Sequence, residues 1–242
     1  MSYGFQVMRS RQQTILSAVV QEYTKTAMPV GSDIISEEYV DVSPATVRAE
    51  MGELEKDGYL YQPHTSSGRI PTDKGFRFFV NEVMEDRPLS KKEIKELDLE
   101  LLKAKAQLNR LSRTTAKLLS NFTKTFSVAG FLNEGDCCEA GIKEFFNNPE
   151  FTEMDQVIQA AEILDYLDEW MDKIMSQSSE NPVQIYIGKE NPISKLQDYS
   201  MIVSKYDLPD GRQGYIAVVG PKGMQYDRNL SFIEHITKLL TE

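Results

Sequence analysis

Long apolar runs are missing from this 242-residue chain. No stretch approaches the roughly 18 residues that a membrane span needs, and Met1 to Arg11 lacks the basic-then-apolar profile of a secretory leader. The expected setting is soluble and cytoplasmic, with no membrane partner. Cysteine is scarce: Cys137 and Cys138 are the only two and they are adjacent, so they cannot staple distant segments and a disulfide scaffold is excluded. Histidine is equally rare. His64 and His235 stand at no metal-ligand spacing with each other or with the cysteines, and no GxGxxG, GxxxxGK or GxSxG pattern occurs. No enzymatic activity, cofactor or metal is therefore expected. Positive charge is also in deficit, 27 Lys and Arg against 37 Asp and Glu for a net charge of −10, whereas indiscriminate nucleic-acid binding usually shows as a basic domain. What is present, 40% hydrophobic residues, suffices for a globular core.

The first 87 residues predict a helix-rich domain with a hairpin. From Arg11 to Thr26, Ile15, Leu16, Val19, Val20 and Tyr23 fall on one helical face. Pro29 and Gly31 break this helix, and Ser32 is placed to cap a short second one with Ile34, Ile35 and Tyr39 facing inward. Ser43 then precedes Pro44, the residue best tolerated at a first helical position, with Val47, Met51 and Leu54 at i, i+4 and i+7 and Gly58 as the stop. Tyr59-Leu60-Tyr61, a polar tip and Ile70 read as a hairpin, and Thr72 caps a further helix carrying Phe76, Phe79, Val80 and Val83. Helix, helix, capped helix and hairpin in this order are a winged helix-turn-helix layout.

Residues 88–125 predict a long linker helix. Ser90 and Glu93 have capping-box spacing, and Ile94, Leu97, Leu101, Ala104, Leu108, Leu111, Thr115 and Leu118 continue at spacings of three and four. The stripe serves either a dimeric coiled coil or a long helix lying on its own domain. Residues 126–242 read as a small α/β domain: a strand over Phe126 to Leu132, a short helix over Glu139 to Phe146, a long helix over Met154 to Met175, a polar break from Ser176 to Asn181, antiparallel strands at Val183 to Ile187, Met201 to Tyr206 and Tyr215 to Val219 around an Asp210-Gly211 turn, and a closing helix with Leu230, Ile233, Ile236, Leu239 and Leu240. The fold class is thus α+β. Cys137 and Cys138 are read as packing residues and His235 as an ordinary helix residue.

The segment Ser43-Pro44-Ala45-Thr46-Val47-Arg48-Ala49 is different in kind. In the second helix of a helix-turn-helix, short side chains permit close approach to a major groove and a long donor reaches base edges. Arg48 offers a fork suited to guanine, while Ser43 and Thr46 suit phosphate oxygens. The hairpin tip His64, Thr65, Ser66, Ser67, Gly68 and Arg69 carries hydroxyls and one guanidinium with no carboxylate, and Lys74 and Arg77 follow. Wings that cross a sugar-phosphate backbone need such a surface.

The strings Ser43-Pro-Ala-Thr-Val-Arg, Gln62-Pro-His-Thr-Ser-Ser-Gly-Arg-Ile-Pro-Thr and Pro29-Val-Gly-Ser closely resemble the HrcA family of heat-inducible transcription repressors, as do Asn148-Pro-Glu-Phe, Gly188-Lys-Glu-Asn-Pro and Gly220-Pro-Lys-Gly-Met-Gln-Tyr-Asp-Arg. The resemblance implies a homodimeric repressor of heat-shock and chaperone genes with an N-terminal winged-helix domain and a C-terminal GAF-like domain carrying a dimerising insertion. It further implies an inverted-repeat operator in double-stranded DNA and the chaperonin GroEL as a modulating partner. Two departures stand out. The segment before Asn148 is shorter than the family usually has, so dimerisation must come from elsewhere, and Ile94, Leu97, Leu101, Leu108, Leu111 and Leu118 are the candidates. Ala49 stands where the family commonly has asparagine, a natural reader of adenine. The rival class is a protein-interaction module that uses the winged helix and acidic C-terminal domain as docking surfaces. A hydrolase or redox enzyme ranks third.

Charge placement sharpens the expectation. Residues 1–84 hold 8 Lys and Arg against 11 Asp and Glu, so even the expected DNA-binding domain is not basic overall, whereas residues 88–125 hold 9 against 4. Weak non-specific affinity, rescued by a matching operator and a dimer, is the consequence.

Overall fold

The computed structural model describes residues 8–107, 110–132, 134–146, 167–176 and 182–242. The chain divides into two compact units, Met1–Glu85 and Asp86–Glu242.

In the first unit, helix α1 (Ser10–Thr26) buries Ile15, Leu16, Val19, Val20 and Tyr23, the expected stripe. Helix α2 (Ser32–Glu38) begins one residue earlier than expected: Gly31 is its N-cap and Ser32 its first residue. Ile35 is fully buried while Ile34 is 39% exposed, because neighbours on a helix point about 100° apart and a two-turn helix has room for one of them inside. Helix α3 (Pro44–Lys56) starts as its sequence dictates, with the Ser43 hydroxyl accepting the Thr46 amide at 3.3 Å. Val47, Met51 and Leu54 are buried, and Gly58 leaves the helix at φ +77°, a left-handed conformation that side chains disfavour.

Strands β1 (Leu60–Tyr61) and β2 (Ile70–Pro71) pair antiparallel into the hairpin. Helix α4 (Asp73–Phe78) is capped by Thr72, which accepts the Gly75 amide at 3.1 Å, and runs into a π-helical turn over Phe79–Val83. That turn corrects the expected stripe. Phe76 and Phe78 are buried, whereas Phe79, Val80 and Val83 are half-buried, since a π turn inserts extra residues and rotates the face that follows. The Phe76 and Phe78 rings meet Tyr23 and Tyr59 at 6.0 and 5.6 Å.

In the second unit the expected continuous helix is two helices, α5 (Lys91–Lys105) and α6 (Leu111–Thr123). Helix α5 opens with the full capping box: Ser90 N–H donates to the Glu93 carboxylate at 2.8 Å and Glu93 N–H to the Ser90 hydroxyl at 3.3 Å. This hydrogen bonding holds the Glu93 carboxyl below its ordinary range. Leu97, Leu101 and Leu111 are fully buried and Leu118 nearly so, Ile94 is half-buried, and Leu108 lies outside the described residues. The proposed dimer seam is thereby corrected. Leu97, Leu101, Leu111 and Leu118 are consumed by the chain's own core, the second of the two uses open to the stripe, and a helix that ends at Lys105 offers no four-heptad coil.

The antiparallel sheet has the order β4-β3-β7-β6-β5, built from β3 (Phe126–Phe131), β4 (Asp136–Ala140), β5 (Val183–Ile187), β6 (Tyr199–Asp207) and β7 (Gln213–Pro221). Strand β4 replaces part of the expected helix, of which α7 (Ile142–Phe146) is the remainder. The Gly211 turn between β6 and β7 is present at φ +89°. Alternation splits the sheet into two faces. One carries Val128, Met201, Val203, Ala217 and Val219 against Met171, Ile174 and Met175 of helix α8 (Leu167–Ser176); the rest of the expected helix over Met154 to Met175 lies outside the described residues. The opposite face carries Ser200 and Ser204, which meet Tyr226 and Thr237 of helix α9 (Tyr226–Thr241) at 2.7 and 3.0 Å. Helices α5 and α9 are joined by Arg228 to Glu93 at 3.0 Å, His235 to Asp98 at 2.8 Å and Lys105 to the Leu239 carbonyl at 3.0 Å, so His235 has a partner in the packing. Among the described residues, no helix is long and apolar enough to cross a membrane.

Truncating Leu101, which is 0% exposed, removes core volume inside one chain. Leu101→Ala is expected to destabilise the second unit by about 2–5 kcal/mol. Urea unfolding should show this loss at every protein concentration; a loss that appears only on dilution would return Leu101 to an interface between chains.

Candidate nucleic-acid interface

Helix α3 presents a face of short side chains. Pro44, Ala45, Arg48 and Ala49 are exposed, with Thr46 half-buried and its hydroxyl 2.9 Å from that of Ser43. The cap ties Ser43 and Thr46 to the helix start and leaves the first turn accessible.

The hairpin tip is organised by a residue that composition does not single out. The Gln62 carboxamide donates to the carbonyls of Thr65 at 3.1 Å and Ser67 at 2.8 Å. Ser67 closes the turn, its hydroxyl donating to the His64 carbonyl at 2.7 Å and accepting the His64 amide at 3.0 Å. These bonds turn His64, Thr65 and Ser66 outward, and all three are exposed. Gly68 lies against the connection between α1 and α2. A Cβ there would stand 2.4 Å from the Val30 carbonyl, so only glycine fits without displacement. Beside it Val30 and Arg69 form an antiparallel bridge with two hydrogen bonds of 2.9 Å.

Arg69 and Lys74 do not take the places expected of them. The Arg69 guanidinium is paired with Glu55 of α3 at 2.9 Å, and its side chain is only 15% exposed. It anchors the hairpin and is not a free cation at the tip. Lys74 donates to the Asp57 carbonyl at 2.8 Å and lies 4.1 Å above the Tyr59 ring, whose phenol pKa burial pushes up. This places it at the C-terminal end of α3, where a cation complements the helix dipole, at the opposite end from Ser43. Arg77 lies on α4 and reaches Asn81 at 3.4 Å.

Arg48 extends towards α2 and donates to the Ser32 hydroxyl at 3.3 Å. Together with Val30, Gln62 and the tip from Thr65 to Arg69 it lines a cleft of about 470 Å³ between α2, α3 and the hairpin, with Asp33 as the carboxylate in its wall. The structure thus brings Arg48, Thr65, Ser66, Ser67, Gly68 and Arg69 to one cleft and leaves Lys74 and Arg77 outside it. Sequence reasoning missed Ser32, Gln62 and Glu55 as members of this arrangement; a glutamine followed by a proline at the foot of a polar tip is the one signal for Gln62.

The cysteines are part of strand β4, opposite Gly130 and Ala129. Successive strand residues point to opposite faces, so the two thiols do not meet, and burial pushes that of Cys138 up. Among the described residues, no group of three His, Cys, Asp or Glu side chains is placed to hold a metal ion.

A family model described as the HrcA protein C-terminal domain matches residues 74–230. The chain belongs to the HrcA family. Curated HrcA relatives named heat-inducible transcription repressors include that of Halalkalibacterium halodurans, 26% identical over 336 positions covering 98% of this chain and 97% of the relative. That of Natranaerobius thermophilus is 28% identical, covering 96% and 95%. That of Synechococcus elongatus is 44% identical over 124 residues, covering 50% and 35%. An alignment of 336 positions against 242 residues leaves at least 94 positions of the Halalkalibacterium HrcA without a counterpart here. A crystal structure of a protein described only as hypothetical superposes with a TM-score of 0.79 at 19% identity, covering 97% of this chain and 98% of that one. This HrcA chain therefore shares its architecture.

The Gly68 contact is testable by stability alone. Gly68→Ala is expected to cost about 1–3 kcal/mol, because the new methyl group overpacks against backbone that cannot swing aside. Thermal unfolding of the purified protein checks this, and an unchanged midpoint would mean that the hairpin is not held against Val30.

Proposed function

We propose that this HrcA-family chain is a sequence-specific DNA-binding transcription repressor of heat-shock and chaperone genes that acts in the cytoplasm as a homodimer on an inverted-repeat operator. The observation that carries this reading is that α3, which has an exposed first turn of short side chains and lines the cleft through Arg48 and Met51, faces a carboxylate-free hairpin tip across that one cleft in the first unit. In this reading the first unit, to about residue 87, is a winged helix-turn-helix. Its α3 enters a major groove, the hairpin is the wing, and two copies meet successive grooves of a palindrome. The repressor names of the HrcA relatives support it.

Ser43, Pro44, Ala45, Thr46, Ala49, His64, Thr65 and Ser66 are the groove and backbone contacts of this proposal. Arg69 acts on DNA through the hairpin it anchors. The second unit is the regulatory body, a shortened GAF-like α+β domain. Because Leu97, Leu101, Leu111 and Leu118 are buried within the second unit, its dimer contact lies on other surfaces. The chaperonin GroEL, implied by family resemblance, is proposed as its modulator.

DNA binding of this kind releases counterions, so affinity must fall steeply with salt, by about 0.9 in log–log slope for each phosphate neutralised. A gel shift on a chaperone-operon promoter, repeated at rising salt and with and without chaperonin, is expected to give a salt-sensitive specific complex. Binding indifferent to salt, or equal on promoter and random duplex, would dismiss the repressor in favour of a protein-docking module.

A further inference from the structure

The guanidinium of Arg48 is not aimed where a base reader would be. At 100° per residue, the centre of the open face of α3 is Ala45, Ala49 and Gly52, while Arg48 stands on the flank beside Met51, which lines the cleft. Its guanidinium leaves the helix axis to meet Ser32 at the start of α2. We infer that Arg48, steadied by Ser32, is a clamp for a backbone phosphate seated in the cleft between α3 and the hairpin, and that sequence is read by the short residues Pro44, Ala45, Thr46 and Ala49. The inference rests on the DNA-binding reading above and replaces the expectation that Arg48 reads guanine.

Three features of the cleft carry it. Its wall supplies the Ser32, Thr65 and Ser66 hydroxyls, rotatable donors that fit phosphate oxygens and are indifferent to the fixed pattern of a base edge. Arg69, the other cation in that wall, is engaged by Glu55, which leaves Arg48, whose partner is a neutral hydroxyl, to meet an anion. And the volume of about 470 Å³ accommodates a sugar-phosphate unit. Asp33 in the same wall opposes the anion, so its removal should strengthen binding.

The test uses the full-length protein, a duplex selected from a random pool by the wild-type chain, and an unrelated duplex of equal length, with affinity followed across a salt series. Arg48→Ala is expected to weaken both duplexes by the same factor, about tenfold or more as befits a charged hydrogen bond, to leave the selected base preferences unchanged, and to reduce the salt slope by about 1 per protomer. Arg48→Lys should keep most of the affinity, because a point charge serves a phosphate but cannot fork onto guanine. Asp33→Asn should strengthen both duplexes. Thermal unfolding checks that each variant is folded.

Loss of preference at a single base pair in Arg48→Ala, with binding to the unrelated duplex and the salt slope unchanged, would overturn the clamp and leave the repressor reading standing. A folded wild-type protein with no salt-dependent duplex binding would overturn both.

Discussion

Two backbone hydrogen bonds between Val30 and Arg69 are the constraint on which the first unit's surface depends. Each contributes only about 0.5–1.5 kcal/mol net, yet they join segments 39 residues apart and bring the hairpin against the connection that leads into α2. Gly68 permits the approach, Glu55 takes the Arg69 side chain from the α3 side, and the three elements then enclose one cleft. Without the bridge a two-residue strand pair would hold an eight-residue excursion with little else, and isolated hairpins of that size are marginal in water.

Local chemistry was legible and tertiary pairing was not. Ser43, Thr72, Ser90 and Glu93 announce their caps because each satisfies an orphan backbone group within a few residues of itself, Pro44 because it has no N–H to leave unpaired, and Gly58 because it accepts the left-handed exit. The sheet strands at Val183 and beyond are announced by alternation. By contrast, Arg69 has the sequence of a free wing cation because its partner Glu55 stands fourteen positions earlier on another element, and so has Lys74 because nothing in its neighbourhood says that it folds back onto the Asp57 carbonyl. The stripe from Ile94 to Leu118 was ambiguous in principle: a heptad pattern states that a face is buried, not whether the burying surface belongs to the same chain. The break after Lys105 resolves it. The π turn after Phe78 has no signature at all in a single sequence.

The second unit illustrates why its leucines went to its own core. A five-stranded antiparallel sheet has two faces to cover, and α8 covers one with methionine and isoleucine side chains. The other is met by α6 and α9, whose Ser112, Tyr226 and Thr237 hydroxyls donate to Asp136, Ser200 and Ser204 of the sheet. Helix α5 completes that layer, pinned to α9 at three heights along its length. Those polar contacts fix the register of α5, and the register sends Leu97, Leu101 and Ala104 inward.

The acidity of the whole chain is less of an obstacle to DNA than the number −10 makes it appear. At physiological salt, charges more than about 8 Å from a phosphate are largely screened, so what a backbone meets is the local wall and not the total. In the cleft that wall contains Arg48 and Asp33, nearly balanced, together with hydroxyls and Arg69, whose charge Glu55 already meets. A single clamp of this strength gives weak binding to arbitrary sequence, and affinity in the proposed repressor must then come from engaging two half-sites at once. The second contact is made at the effective concentration set by the first, which makes occupancy depend steeply on operator spacing and on assembly of the dimer. A basic surface would bind anywhere and blunt both dependences; a sparsely charged one keeps them.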